Sequence, residues 1–325
     1  MSKEALLNLL RSKQGSYISG NELGTALGIS RAAVWKMIQA LRAQGYRIES
    51  RTNKGYFLVE QPHQILKEEI EHSLHTKRLG HPLCLMESVQ STNTLVRQQA
   101  EQGQQEGYTL IALEQTEGRG RKGRTFSSPQ GGIYMSVLLR PQIRVQELPL
   151  ITFAGAVSVA KAAEECTGIP VEIKWVNDLL VDGKKLCGIL TEASMEAETG
   201  EVGYVIVGIG LNVEQAPQLE DDKKSCALAQ MVSFSIDKNE LIVQILHNLE
   251  EYVSDISRGR KEVLLNAYQS RLTLLGKEIS FWTPRERLSG RAIKMDEEGN
   301  LLVQMPDGAI QTLHPGEVSI QPDCR

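Results

Sequence analysis

The sequence predicts a multidomain α+β protein, and three observations carry that reading. The first is a charge asymmetry: the 325-residue chain has a formal net charge of −4, yet residues 1–62 hold nine Lys/Arg against four Glu, a net +5 that leaves −9 for the rest. The second is a change of pattern near residue 64, from short amphipathic helices to helices alternating with apolar strands. The third is a series of short strands divided by polar turns after Gly276. With 41% hydrophobic residues, the chain can pack two or three cores. The expected domains are 1–62, 63–273 and 274–325.

Composition removes several functional classes. The five cysteines (Cys84, Cys166, Cys187, Cys226, Cys324) are scattered and form no CxxC pair, so neither a zinc site nor a redox motif is expected. Such thiols fit a reduced, cytoplasmic setting. The opening MSKEALLNLLRSK places charges where a signal peptide has its apolar core. The most apolar later window, Leu148 to Ala160, is too short to span a bilayer, so no membrane segment is expected.

In the basic segment, Leu6, Leu7, Leu9 and Leu10 predict a helix capped by Ser2 and ended at Gly15. Leu23, Ala26 and Leu27 mark a second helix and Gly28 a turn. Ser30 then caps a third helix whose apolar stripe is Val34, Ile38 and Leu41, closed at Gly45. Two helices across a tight glycine turn make a helix-turn-helix. Off the stripe of the third helix lie Arg31, Ala32, Trp35, Lys36, Gln39 and Arg42, which can offer hydrogen bonds and positive charge to a major groove. YRIES and GYFLV alternate as strands around a basic tip containing Arg51 and Lys54, which completes a winged helix-turn-helix. The alternative for this segment is a packing module with a solvated basic face, and the wing and the +5 charge weigh against it. Pro62 reads as the linker.

The central segment holds strands at Thr109 to Thr116 and Gly132 to Arg140, joined by GRGRKGRTFSSPQG. Within that connection, Gly118 to Arg124 packs four cations and three glycines into seven residues. Glycine lets backbone N–H groups approach an anion, and arginine presents a planar fork matched to phosphate or carboxylate. The cations also repel one another, so a phosphate-bearing ligand is the expected partner. The GK[ST] ending of a P-loop is missing.

VEIKWVNDLLVDGKKLCGIL follows, with an Asp182-Gly183 hairpin turn that can bring Lys174, Asn177, Asp178 and Lys185 to one end of a sheet. A structural ion pair is the ordinary reading of such a cluster, and a site the alternative. GIGLNV (Gly208 to Val213) ends an apolar strand, and ESVQSTNT (Glu87 to Thr94) offers small hydroxyls before a helix. Asp237 and Glu240 open a helix with Leu241, Ile245, Leu246, Leu249 and Val253 on its core face. The strands after Gly276, broken by EEGN and PDGA, predict a small β-barrel.

In this order and spacing, the STN at Ser91 to Asn93, the Gln115 to Arg124 segment, KWVNDL, GKKLCGIL and GIGLNV resemble the biotin–protein ligases. With the winged helix added, the whole chain resembles the bifunctional members that also repress the biotin operon. The resemblance implies a central mixed-sheet ligase domain and a C-terminal SH3-like barrel. It implies two steps: biotin and ATP, with Mg²⁺, give biotinyl-5′-AMP and pyrophosphate, and a lysine of the biotin carboxyl carrier protein of acetyl-CoA carboxylase then takes the biotin.

Carried over by position, the resemblance assigns Ser91, Thr92, Asn93 and Gln115 to the ureido ring of biotin, with the backbone at Gly118, Arg119 and Gly120. Arg121 and Arg124 take phosphate, and Lys185 stands between the carboxylate and the α-phosphate. Asn177, Asp178 and Asn212 complete the nucleotide end, and Phe126 stands where some relatives have a Trp that can stack on adenine. Val176 replaces a proline common in that motif. The residues assigned to DNA are Ser30, Arg31, Ala32, Trp35, Lys36, Gln39, Arg51 and Lys54, the partner being operator DNA. Because a winged helix covers one half-site, a homodimer formed with biotinyl-AMP is the expected repressing form. Two rivals are a lipoate–protein ligase, opposed by the polar Ser91 to Asn93 and Gln115 cluster, and a ligand-sensing repressor without catalysis, opposed by Lys185 and Arg121.

Overall fold

The structure, a computed structural model, describes residues 3–12, 16–43, 46–51, 54–60, 64–196, 201–217, 224–282, 286–315 and 319–322. The expected cap at Ser2, the stops at Gly15 and Gly45, part of the wing tip and the Pro62 linker lie outside these residues. The chain divides into two compact units: residues 1–69 with 237–239, and residues 70–236 with 240–325.

In the first unit, helices α1 (Lys3–Ser12), α2 (Gly20–Leu27) and α3 (Arg31–Ala43) precede the antiparallel strands β1 (Arg47–Arg51) and β2 (Gly55–Glu60). Ser19 and Glu22 form a reciprocal capping box at the start of α2, and Gly28 leaves the helix at φ 63°. Ser30 Oγ accepts the Ala33 N–H at 3.2 Å and so caps α3. Leu6, Leu10, Leu23, Val34, Ile38 and Leu41 meet in one core. This is the helix-turn-helix with its wing. Helix α4 (Lys67–Ser73) spans the division between the units.

The second unit is built on a seven-stranded mixed sheet. In chain order its strands and helices are β3 (Leu83–Val89), α5 (Thr92–Glu101), β4 (Thr109–Gln115), β5 (Ile133–Leu139), α6 (Leu148–Thr167), β6 (Glu172–Lys174), β7 (Asp178–Val181), β8 (Lys184–Met195) and β9 (Val202–Leu211). The order across the sheet is β3-β4-β5-β9-β8-β7-β6; β3 and β4 run parallel across the α5 crossover, and every other neighbour is antiparallel.

Side chains alternate across the sheet, so its two faces differ. Val207 and Ile189 face α6, where a Cβ on Gly155 would stand 3.1 Å and 3.2 Å from them. Ile206 faces the other way and packs with Val96 and Ala100 of α5. The window Leu148 to Ala160 that reads as most apolar is thus most of α6, a helix buried around much of its circumference. Among the described residues, no helix is long and apolar enough to cross a membrane.

Helices α7 (Lys238–Ser257) and α8 (Glu262–Gln269) follow, with Leu241, Ile245, Leu246, Leu249 and Val253 of α7 buried. The last strands, β10 (Glu278–Trp282), β11 (Arg287–Met295), β12 (Leu301–Gln304), β13 (Ile310–Leu313) and β14 (Ser319–Pro322), form an antiparallel sheet in the order β13-β12-β11-β10-β14. Among the described residues no pairing joins β13 to β14, so the sheet stays open where a closed barrel was expected. Gly299, in the β11–β12 turn at φ 84°, lies against the Phe153 ring of α6.

Candidate active site and DNA-facing helix

The α5 face of the sheet carries a strip of bare backbone. Gly188 of β8 pairs with Gly210 of β9, and Gly208 lies two residues back on the same face. A Cβ on Gly208 would stand 2.2 Å from Asn93 Oδ1, and one on Gly210 would stand 2.4 Å from the Phe126 ring. The missing side chains therefore let Asn93 and Phe126 lie directly on the peptide plane. Along the strip the order is Asn93 over Gly208, Phe126 over Gly210 and Gly188, and then Lys185, whose Nζ is 5.4 Å from the Phe126 ring centroid.

A buried polar cluster occupies the Asn93 end. Ser91, at the N-cap of α5, makes no side-chain cap hydrogen bond, and Ser91, Thr92 and Asn93 are all buried. The Thr92 N–H and hydroxyl lie 2.8 Å and 3.1 Å from Gln115 Oε1, while Gln115 Nε2 donates to Ser128 Oγ at 2.9 Å. The hydroxyl of Ser136, on β5, is 2.7 Å from Thr92 Oγ1 and 2.6 Å from Asn93 Oδ1. Asn93 Nδ2 donates to Glu192 Oε2 at 2.7 Å and to the Leu190 carbonyl at 3.3 Å. Hydrogen-bonding groups this deeply buried must be satisfied locally or by a ligand.

The glycine-arginine segment is a narrow finger. Phe126 N–H donates to Gly118 O at 2.8 Å and Gly120 N–H to Arg124 O at 2.7 Å, and a single 3₁₀ turn spans Arg121–Gly123 with Lys122 at φ 55°. Gly118 is buried at its base, whereas Arg119, Lys122 and Arg124 are exposed. Arg121 is half-buried, and its Nη1 donates to Asn177 Oδ1 at 3.2 Å. Burial lowers its pKa, opposed by the nearby Asp178 and Tyr268.

The Asp182-Gly183 turn, at φ 50° and 72°, folds β7 onto β8 as expected. Lys185 Nζ consequently reaches Asp178 Oδ1 at 2.7 Å. Asn177 Nδ2 donates to Ile189 O at 2.9 Å, which fixes the amide that receives Arg121. Asn212 Nδ2 donates to Cys226 O at 3.1 Å, while its buried Oδ1 has no partner among the described residues. Lys185 thus pairs with Asp178, Arg121 feels the same carboxylate from its place on Asn177, and two cations near one carboxylate suit an anion.

On α3, Arg31, Ala32, Trp35 and Lys36 are exposed and Gln39 half-exposed, on the side opposite the buried stripe. Trp35 is 54% exposed, an unusual state for that side chain without a partner. Lys54 stands exposed at the wing tip; Arg51 lies 5.3 Å from the Tyr17 ring centroid and 3.8 Å from Glu49. Arg42 departs from expectation: its Nε donates to Ile48 O at 2.9 Å, tying α3 to the wing.

Residues 85–212 match the Biotin/lipoate A/B protein ligase family, and residues 3–57 match the HTH domain. Over 323 residues, 98% of each chain, the sequence is 36% identical to the Bifunctional ligase/repressor BirA of Bacillus subtilis (strain 168). The chain belongs to the bifunctional ligase/repressor family. The BirA of Escherichia coli (strain K12) is 26% identical over 310 residues, 94% of each chain. A biotin protein ligase from Aquifex aeolicus, solved in complex with biotin and ATP, aligns at a TM-score of 0.65 and 29% identity, covering 76% of this chain and 100% of that one.

In this ligase/repressor, Asn93, Gln115, Phe126 and Lys185 gather along one sheet face while Arg121 is held on Asn177, and sequence reasoning missed the groups that brace them. Ser136, Ser128 and Glu192 were not singled out. Ser136 has a legible signal, since it is the one small polar side chain inside the apolar strand IYMSVLL. Glu192 follows the apolar GILT and has none, because its role depends on α5 crossing above it.

Proposed function

We propose that this ligase/repressor activates biotin with ATP to biotinyl-5′-AMP and transfers the biotin to a lysine of the biotin carboxyl carrier protein of acetyl-CoA carboxylase. The carrying observation is the polarity of the glycine strip, which has a buried donor–acceptor cluster at Asn93 and the Lys185 ammonium at the other end. Biotin has the complementary shape, a ureido ring at one end and a carboxylate at the other.

In this reading Ser91, Thr92, Asn93 and Gln115 hold the ureido ring, with backbone from Gly118, Arg119 and Gly120. Lys185 draws the carboxylate and the α-phosphate together by offsetting their mutual repulsion. The carboxylate oxygen attacks the α-phosphorus and pyrophosphate leaves; Arg121 and Arg124 then retain the adenylate phosphate. Phe126 stacks on adenine, and Asn177 and Asn212 take the nucleotide end, with the open Oδ1 of Asn212 as an acceptor. The carrier lysine, as neutral amine, attacks the acyl carbonyl and AMP leaves with the bonding pair. Mg²⁺ enters with ATP as the substrate complex, and Asp178 keeps Lys185 and Arg121 in place.

The same reading makes the chain a repressor, with Ser30, Arg31, Ala32, Trp35, Lys36, Gln39, Arg51 and Lys54 on operator DNA. Two half-sites call for a homodimer, promoted by biotinyl-AMP, in the cytoplasm. The five terminal strands stand as an SH3-like domain in this reading, supported by their antiparallel order, and the three domains are 1–62, 63–273 and 274–325. The direct test mixes the protein with biotin, labelled ATP and Mg²⁺. Biotin-dependent pyrophosphate release with a bound adenylate is expected, and its absence sinks the proposal.

A further inference from the structure

The Asn93 side chain is pinned at both ends. Its Nδ2 donates to Glu192 Oε2 at 2.7 Å and to Leu190 O at 3.3 Å, and the Ser136 hydroxyl stands 2.6 Å from its Oδ1. An ionised carboxylate only accepts hydrogen bonds, so Glu192 can face the NH₂ of the amide and never its oxygen. Arg97 pairs with the other carboxylate oxygen, Glu192 Oε1, and so offsets the charge and fixes the rotamer. Gly208 lets the amide lie flat against β9, where any Cβ would strike Oδ1. Both Nδ2 hydrogens are engaged, and among the described residues Ser136 alone faces Oδ1, so one of its lone pairs is left over.

From this arrangement we infer that Glu192 is a positioning residue that locks Asn93 as an acceptor, so that the site demands a ligand N–H at that point. The inference rests on the biotin reading, since biotin is the ligand that presents a ring N–H. Glu192 touches Asn93, and its action on the ligand runs through the amide. Replacing the carboxylate by an amide weakens the lock, because a glutamine NH₂ can donate to Oδ1 and only the longer contact to the Leu190 carbonyl then favours the original pose of the Asn93 amide. Asn93 would offer an acceptor in one pose and a donor in the other. Discrimination between an N–H and a bare oxygen on the ligand would then shrink.

The test uses the full-length protein and three probes: biotin, and the two cyclic carbamates in which one or the other ring N–H is replaced by oxygen. Affinities are measured by calorimetry without ATP, and each is expressed as a ratio to biotin on the same preparation, so the fraction of active protein cancels. The parent protein is expected to bind one carbamate about 10- to 100-fold more weakly than biotin, the penalty for facing a buried acceptor with an acceptor. Glu192→Gln is expected to shrink that ratio to within about threefold. Glu192→Asp, which still only accepts, is expected to retain most of the ratio; a purely structural role gives no reason for Asp and Gln to differ in this way. Should the Gln variant fail to fold, Glu192→Met removes the same acceptor and is expected to shrink the ratio too. If the parent binds biotin and the variants keep its ratio, the inference is overturned while the ligase reading stands. If the parent does not bind biotin, the ligase reading itself falls.

Discussion

Lys185 Nζ lies 2.7 Å from Asp178 Oδ1 at the end of the glycine strip, with both side chains 29% exposed. A pair that open to solvent contributes little to stability. Its effect is positional: the carboxylate holds the ammonium extended beside Phe126, where an incoming anion would meet it. In the proposed ligase reading, Asp178 fills the place of ligand charge until ligand arrives.

Lys185→Met is therefore expected to leave the fold intact and to lower adenylate formation on the order of 10²-fold or more, as for loss of one electrostatic group at a developing charge. Biotin-dependent pyrophosphate exchange measures it. Near-normal exchange would remove Lys185 from the chemistry.

Arg121→Gly is expected to let the adenylate escape. The guanidinium is half-buried and held by Asn177, so its loss removes a charge-assisted contact of about 1.5–3 kcal/mol, or roughly 10- to 100-fold in dissociation rate. Release of labelled biotinyl-AMP, and biotin appearing on bystander proteins, report it. Retention as long as in the parent would rule out the clamp.

Lys36→Ala, on the exposed side of α3, is expected to weaken operator binding and to reduce the slope of log affinity against log salt by about one, with adenylate formation unchanged. Gel shifts across a salt series test this. The same titration with and without biotinyl-AMP tests coupling: the factor by which adenylate tightens operator binding must equal the factor by which operator tightens adenylate. Equal operator affinity in both arms would leave the repressor half of the reading unsupported.

Glu147, at the entrance to α6, is 15% exposed and pairs with Lys261. Burial works against its ionisation, but hydrogen bonds from Lys261 and the Arg144 backbone prevail and bring its pKa from 4.5 down to about 2. A depressed carboxylate stabilises the fold above its unfolded pKa and loses that contribution as pH falls toward the folded value. Glu147→Gln should thus lower unfolding free energy by up to about 3 kcal/mol at pH 6, a gap that narrows between pH 4.5 and 2. Urea titrations of both proteins down to pH 3 check the sign; a gap independent of pH would contradict it.

Much of this architecture was legible because it depends on local rules. Ser30 and Gly28 mark a helix start and stop through their own backbone neighbours, and Asp182-Gly183 names its turn. The motif residues Asn93, Gln115, Lys185 and Gly208 could be placed on helix, strand or turn, and the mixed sheet brings them to one face. What stayed hidden depends on contacts between distant segments. Glu192 meets Asn93 across 99 residues, and Tyr268 stacks on Phe153 at 4.0 Å between helices far apart in the chain. Arg42 looked like a groove-facing cation because nothing in its helix reveals the Ile48 carbonyl above it.

The glycine strip also decides how the pocket can change. Its depth is gauged by Asn93 and Phe126 lying flat on glycine backbone, which has no methyl groups to trim. A ligand that thickens toward the sheet has nowhere to go, because Asn93 and Phe126 already lie against Gly208 and Gly210, the smallest residues available. Bulk directed instead toward the Gly118 to Arg124 finger meets exposed side chains that can swing. New ligand specificity is therefore reached by editing the lid, and the base stays a fixed ruler against which each candidate substrate is measured.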